Sequence, residues 1–266
     1  MSPFDYRRVR DVAEAVAALR QNPDAKLLAG GQSLLAAMRL GLSAPAELLD
    51  LQDLALLKTL EPRDGGLWLG AMCTHAQIAA SRLVQSAAPM LAQLAGNIAD
   101  QQVRNRGTVG GSISNADPSA CWPAGLLAAG AKMHTDRRVL AADDFFTGLF
   151  STALEADEVL CGIWVPPLPQ ACYLKFEQSA SRFALTGVAV NRSGGPVRVA
   201  ITGLGHGVRR FAAAEAALQR QFARAALAGI QLDAEEASSD LHAGADYRVH
   251  LAGVLLRRAV DTLSSP

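Results

Sequence analysis

Apolar residues recur along this chain in two rhythms, one near 3.6 residues and one near 2, and their succession predicts a mixed helix–strand architecture. Val12, Ala15, Val16 and Leu19 share one face of a helix over residues 12–21, with Asp11 placed to cap it. Asn22-Pro23-Asp24 makes a turn, and residues 26–29 read as a short buried strand running straight into Gly30-Gly31. Leu34, Leu35, Met38 and Leu42 return to helical spacing, and residues 47–51 form a second strand candidate. This β-α-β unit sets the glycine pair at the positive N-terminal end of a helix, which favours an anion.

Residues 59–70 then read as a hairpin turning at Arg63-Asp64-Gly65-Gly66, Thr74-His75-Ala76-Gln77 has the form of a capping box, and residues 90–99 are helical. The glycine-rich stretch from Val103 to Pro118 reads as a loop, residues 125–129 as mixed apolar packing, and Asp143-Asp144 as the cap of a short helix. Pro166-Pro167-Leu168-Pro169 is the chain's proline cluster and marks a boundary. Beyond it, residues 171–177, 187–191 and 197–203 read as strands, and residues 212–218 and 245–261 as helices. Strands before helices give an α+β C-terminal part.

Composition narrows the function classes. At 266 residues, half of them hydrophobic, the chain can bury a sizeable core in two or three subdomains. Its 25 cationic and 25 acidic residues cancel, so no global field draws it to nucleic acid. No apolar run reaches the roughly 18 residues of a membrane span, and the N-terminal residues lack an apolar signal core, so a cytoplasmic location is expected. Cys73, Cys121, Cys161 and Cys172 form no C-x2-C or C-x4-C pair. They read as buried, reduced thiols, and no metal or cluster is expected on this chain.

The candidate chemistry lies in the two glycine stretches. Neither fits the G-x-G-x-x-G fingerprint or the G-K-[ST] of a P-loop, which disfavours a Rossmann dinucleotide site or an ATPase. A lone Gly-Gly is weak evidence. The second stretch packs glycines with Thr108, Ser112, Ser114, Asn115 and Asp117, a dense set of small hydrogen-bonding groups suited to phosphate and sugar. Two such segments suggest a nucleotide cofactor held at its diphosphate from both sides.

Ala-Gly-Gly-Gln-Ser-Leu-Leu at 29–35 together with Val-Arg-Asn-Arg-Gly-Thr-Val-Gly-Gly-Ser-Ile-Ser-Asn-Ala-Asp-Pro at 103–118 resembles the FAD-binding (medium) subunit of molybdenum hydroxylases, the carbon monoxide dehydrogenase and xanthine dehydrogenase family. Residues 143–154, 175–185 and 246–260 extend the resemblance over nearly the whole chain. It implies an α+β chain: a p-cresol methylhydroxylase-type FAD-binding domain over 1–166, with subdomains about 1–55 and 56–166, then a CO dehydrogenase flavoprotein-type domain over 170–266. It also implies FAD contacts at Leu28, Ala29, Gly30, Gly31, Gln32, Ser33 and Leu34, and at Thr108, Val109, Gly110, Gly111 and Ser112. Asn115 and Asp117 fall near the ribityl or flavin end, and Lys175 near a flavin-facing lysine. Cys121 stands where many relatives carry an aspartate.

The activity implied is that of an oxidoreductase subunit without catalytic side chains of its own, passing electrons through FAD to an external acceptor. The expected partners are a large molybdopterin-binding subunit and a small subunit with [2Fe–2S] clusters, in a dimer of heterotrimers. Two alternatives stay open: a free-standing FAD-dependent oxidase or reductase of the same fold, and a nucleotide-binding module without redox activity. His75, inside its capping box, reads as a surface side chain and not as a covalent flavin anchor. Arg104 and Arg106 fit phosphate neutralisation about as well as a solvated or partner-facing charge.

Overall fold

Three parallel strands open the structure, a computed structural model that describes residues 2–265. β1 (Asp5–Arg8), α1 (Val12–Gln21), β2 (Ala25–Leu28), α2 (Leu34–Arg39) and β3 (Glu47–Asp50) form a sheet of strand order β1-β3-β2, in which α1 and the β2-α2-β3 unit are expected from the sequence and β1 is not. The Asp11 carboxylate accepts from the Glu14 amide and caps α1 as the sequence indicates. Register places Arg8, Asp50 and Leu28 side by side at the carboxyl edge of this sheet.

A second, antiparallel layer follows. β4 (Leu60–Arg63) and β5 (Gly66–Gly70) form the expected hairpin, and α3 (His75–Ala80), α4 (Arg82–Ala87), α5 (Pro89–Gly96), α6 (Gln101–Arg106), α7 (Val109–Asn115) and α8 (Cys121–Ala129) pack behind it. β6 (Lys132–Thr135), β7 (Val139–Ala141), α9 (Ala142–Phe145), the small hairpin β8 (Phe146–Gly148) and β9 (Ser151–Thr152), and β10 (Leu160–Val165) complete the layer. The sheet runs β4-β5-β10-β6-β7. β10, its central strand, has no expected counterpart, because a short apolar run buried on both faces carries no period-2 signature. Its Gly162 admits the Trp68 ring, where an added Cβ would lie 2.2 Å from the indole.

Three readings are corrected here. The second glycine stretch is not a loop: residues 101–106 and 109–115 are helices, the latter begun by the Thr108 hydroxyl accepting from the Gly111 amide. Residues 121–129 form one helix, buried at every position, so it shows no amphipathic stripe. Asp143 and Asp144 do not cap α9, whose N-cap is Ala141; Asp143 instead accepts from Arg198 and Arg210, at 2.5 and 2.8 Å.

The last layer is β11 (Ala171–Glu177), β12 (Ala184–Asn191), β13 (Arg198–Thr202) and β14 (Arg209–Arg210), antiparallel in that order, with α10 (Ala212–Arg220) and α11 (Ala245–Ser264). Strand alternation serves both faces: Val188, Val190, Val199 and Ile201 cluster with Ala252, Leu255 and Leu256, whereas Ala189 and Ala200 join the core around α8. Small residues there let α8 lie close. Arg198 Nε donates to Leu127 O at 2.9 Å and Asn191 Nδ2 to Ala128 O at 3.1 Å, satisfying carbonyls at the helix's C-terminal end. At its other end the Thr202 hydroxyl sits 2.8 and 2.9 Å from the carbonyls of Pro118 and Ala120. No described helix is long and apolar enough to cross a membrane.

Candidate functional site

The segment between β2 and α2 leaves the carboxyl edge of the parallel sheet, the edge at which open α/β sheets take ligands. Gly31 has φ +74°, a conformation that only glycine adopts without strain. Among the described residues, no acceptor takes the backbone N–H of Gly30, Gly31, Gln32, Ser33 or Leu34. Three successive carbonyls at the start of this segment are engaged: Ala29 O accepts from Gln52 Nε2 at 3.1 Å, Gly30 O from Gln32 Nε2 at 3.3 Å, and Gly31 O from the Leu35 amide at 3.2 Å. Donors presented and acceptors withdrawn make this a cradle for an anion.

The second glycine stretch lies directly against the first. A Cβ on Gly30 would fall 2.2 Å from Arg106 O, and one on Gly111 would fall 3.5 Å from the Ala29 Cβ. Its own amides are spent internally: Val109 N–H on Cys73 O, Gly110 N–H on Ala71 O, Gly111 N–H on the Thr108 hydroxyl, and Ser112 N–H on Thr108 O. The glycines here serve backbone contact, since a Cβ on Gly110 would meet Ala71 at 2.6 Å. What this stretch presents is the half-buried edge of Gly111, Ser112, Asn115 and Asp117. Two N–H-lined loops were the expectation; one donor loop and one packed helix are what the chain builds.

Asp117 follows Ala116, which is held at φ 45°. Its Oδ1 accepts from the Ser119 amide at 2.8 Å, and burial pushes its carboxyl above the usual aspartate range. Cys121, at the first turn of α8, is buried, and burial raises its thiol in turn. Lys175 sits on β11 with its ammonium committed to the carbonyls of Asn97 and Arg182, both at 2.6 Å, with Glu177 at 3.5 Å. It thereby clamps the β11–β12 turn to the C-terminal end of α5.

His75 is the clearest departure from the sequence reading. The capping box forms as expected, yet the imidazole points inward and is 4% exposed. Its Nδ1 accepts from Trp122 Nε1 at 3.0 Å, and its Nε2 faces Gly107, where an added Cβ would lie 2.9 Å away. The backbone of His75 also donates to Gly107 O at 3.0 Å. Burial, helped by the Arg104 charge, lowers the imidazole to about 4. His75 is therefore a neutral strut beneath the second stretch. Arg104 turns back onto the carbonyls of Ile98 and Ala99, at 2.8 and 2.7 Å, while Arg106 is exposed beside the seam. Gln52, whose side chain no local motif marks, was missed from the sequence.

Comparison with known proteins places the chain in a family. The family described as "FAD binding domain in molybdopterin dehydrogenase" matches residues 2–168. The chain is 36% identical to the carbon monoxide dehydrogenase medium chain of Hydrogenophaga pseudoflava, across 97% of this chain and 96% of that one. It is 34% identical to the nicotine 6-hydroxylase medium subunit of Paenarthrobacter nicotinovorans, across 96% and 95%. Among solved structures, quinoline 2-oxidoreductase from Pseudomonas putida 86 superposes with a TM-score of 0.90 at 29% identity, covering 98% of this chain and 97% of that one.

Proposed function

This chain belongs to the family of FAD-binding subunits of molybdopterin-dependent dehydrogenases, and from that premise we propose that it serves as the electron-transfer flavoprotein subunit between the [2Fe–2S] clusters of a small partner chain and an external acceptor. FAD is its cofactor. The relatives it matches are medium chains and subunits, so a large molybdopterin-binding partner and a dimer-of-heterotrimers assembly in the cytoplasm go with this reading.

The observation that carries it is the run of acceptor-free N–H groups from Gly30 to Leu34, which fits a diphosphate. We place the diphosphate against Leu28, Ala29, Gly30, Gly31, Gln32, Ser33 and Leu34. Thr108, Val109, Gly110, Gly111 and Ser112 wall the other side, mainly through the Ser112 hydroxyl and the bare Gly111 surface. Asn115 and Asp117 face the ribityl or flavin end. Lys175 acts through the turn it clamps and not through a free ammonium. FAD, when bound, supplies the redox chemistry, and the protein supplies position, electrostatics and exclusion of competing reactions.

Expression of the chain with its neighbouring reading frames tests the reading. Purification should yield one FAD per chain by visible absorption, in a complex with two further chains, one of them carrying iron–sulfur clusters. A flavin-free protein that also fails to take up added FAD would refute the cofactor site. A flavoprotein that oxidises an organic substrate with no partner would favour the free-standing oxidase.

A further inference from the structure

We infer that Gln52, outside both glycine stretches, is a positioning residue that aims the cofactor-binding peptide of the first one; the inference rests on the FAD site proposed above. A trans peptide is planar, with its C=O and N–H pointing in opposite directions. The carbonyl of Ala29 and the N–H of Gly30 belong to one such plane. Gln52 Nε2 donates to Ala29 O at 3.1 Å, so the Gly30 N–H is turned the opposite way, where no protein acceptor among the described residues meets it. The next plane, Gly30 C=O with Gly31 N–H, is set in the same fashion by Gln32. Without the Gln52 amide, the Ala29–Gly30 plane loses the bond that keeps its negative end away from an arriving anion.

Gln52 is itself held from both sides. Its backbone N–H donates to Asp50 Oδ1 at 2.8 Å, and Lys58 Nζ donates to its carbonyl. Asp50 is 4% exposed and accepts on its other oxygen from the Tyr6 hydroxyl. The root of the Gln52 side chain is thus fixed to the carboxyl end of β3 and, through Tyr6, to β1. The amide reaches across to the end of β2, so all three parallel strands brace one peptide. A site braced by strands is held more precisely than one supported by loops alone.

The test is FAD titration of the apo full-length chain by flavin fluorescence, with the thermal midpoint of the apo-protein measured alongside. Gln52→Met keeps bulk but donates nothing. Its dissociation constant for FAD should rise about tenfold, the worth of one neutral hydrogen bond, with the apo midpoint unchanged. Gln52→His restores an N–H at similar reach and should recover affinity to within about threefold of the wild type, a rescue that a purely structural role would not give. Wild-type affinity in Gln52→Met overturns the inference, as does a loss that tracks a lowered midpoint and is not rescued by histidine. Gly31→Val separates the two levels. If it binds FAD like the wild type, the loop does not hold the cofactor and the site proposal falls with this one. If it loses FAD while Gln52→Met does not, only the role of Gln52 falls.

Discussion

Acid should destabilise this protein through His75. Folded, the buried imidazole stays neutral down to about pH 4, against 6.5 for the free side chain. The unfolded chain takes up a proton on His75 below pH 6.5, and the folded chain does not until about pH 4. Between those values the unfolded state binds more protons, so stability falls as pH falls. The contribution is complete above pH 6.5 and lost progressively toward pH 4. At about 1.4 kcal/mol per pH unit, the interval comes to about 3 kcal/mol. The physical cause is twofold: burial penalises the imidazolium, and a protonated Nδ1 can no longer accept from Trp122 Nε1, which is itself fully buried. His75→Gln supplies the control, because an amide oxygen can accept from the indole without titrating. Urea unfolding of both proteins should give curves that converge near neutral pH and diverge on acidification, the wild type losing about 3 kcal/mol more by pH 4. Other titrating groups are common to both and cancel in the difference. Parallel curves would refute the buried, neutral imidazole. His75→Phe, which leaves the indole N–H without an acceptor, should cost about 1–3 kcal/mol already at neutral pH.

Four further outcomes follow from the same structure. Gly31→Val forces a β-branched residue to φ +74° and brings its Cβ to 2.9 Å from Leu35 Cδ1; strain of about 1–3 kcal/mol should strip FAD from the purified protein, and normal flavin content would contradict it. Gly30→Ala collides with the Arg106 carbonyl, a backbone atom that cannot swing aside, so both FAD content and the thermal midpoint should drop, by about 1–3 kcal/mol in stability. Asp117→Ala should weaken FAD by about 1.5–3 kcal/mol if the carboxylate accepts from a ribityl hydroxyl, read by flavin fluorescence, and unchanged affinity would move the contact elsewhere. Burial pushes the thiols of Cys73, Cys161 and Cys172 up to about 11, so a thiol reagent near neutral pH should label the native protein slowly and the urea-unfolded protein at once.

The sequence by itself determined whatever depends on neighbours a few residues apart. Helix α1 with its Asp11 cap, the Thr74–Gln77 capping box, the β4–β5 hairpin at its glycine turn and strand β11 are all local, and all were legible. So was the first glycine pair at a strand-to-helix junction, because Gly-Gly between an apolar strand and a helical stripe leaves few alternatives. Tertiary structure decided the rest, wherever burial from several sides erased the period. α8 and β10 are apolar on every face and so look like neither helix nor strand. The second glycine stretch became a helix because Gly107, Gly110 and Gly111 allow it to press against His75, Ala71 and Ala29, contacts that sequence distance hides. His75 turned inward because Trp122, 47 residues away, offers it a donor. Gln52 acquired its place at the loop because β3 lies between β1 and β2, a strand order that no local pattern encodes.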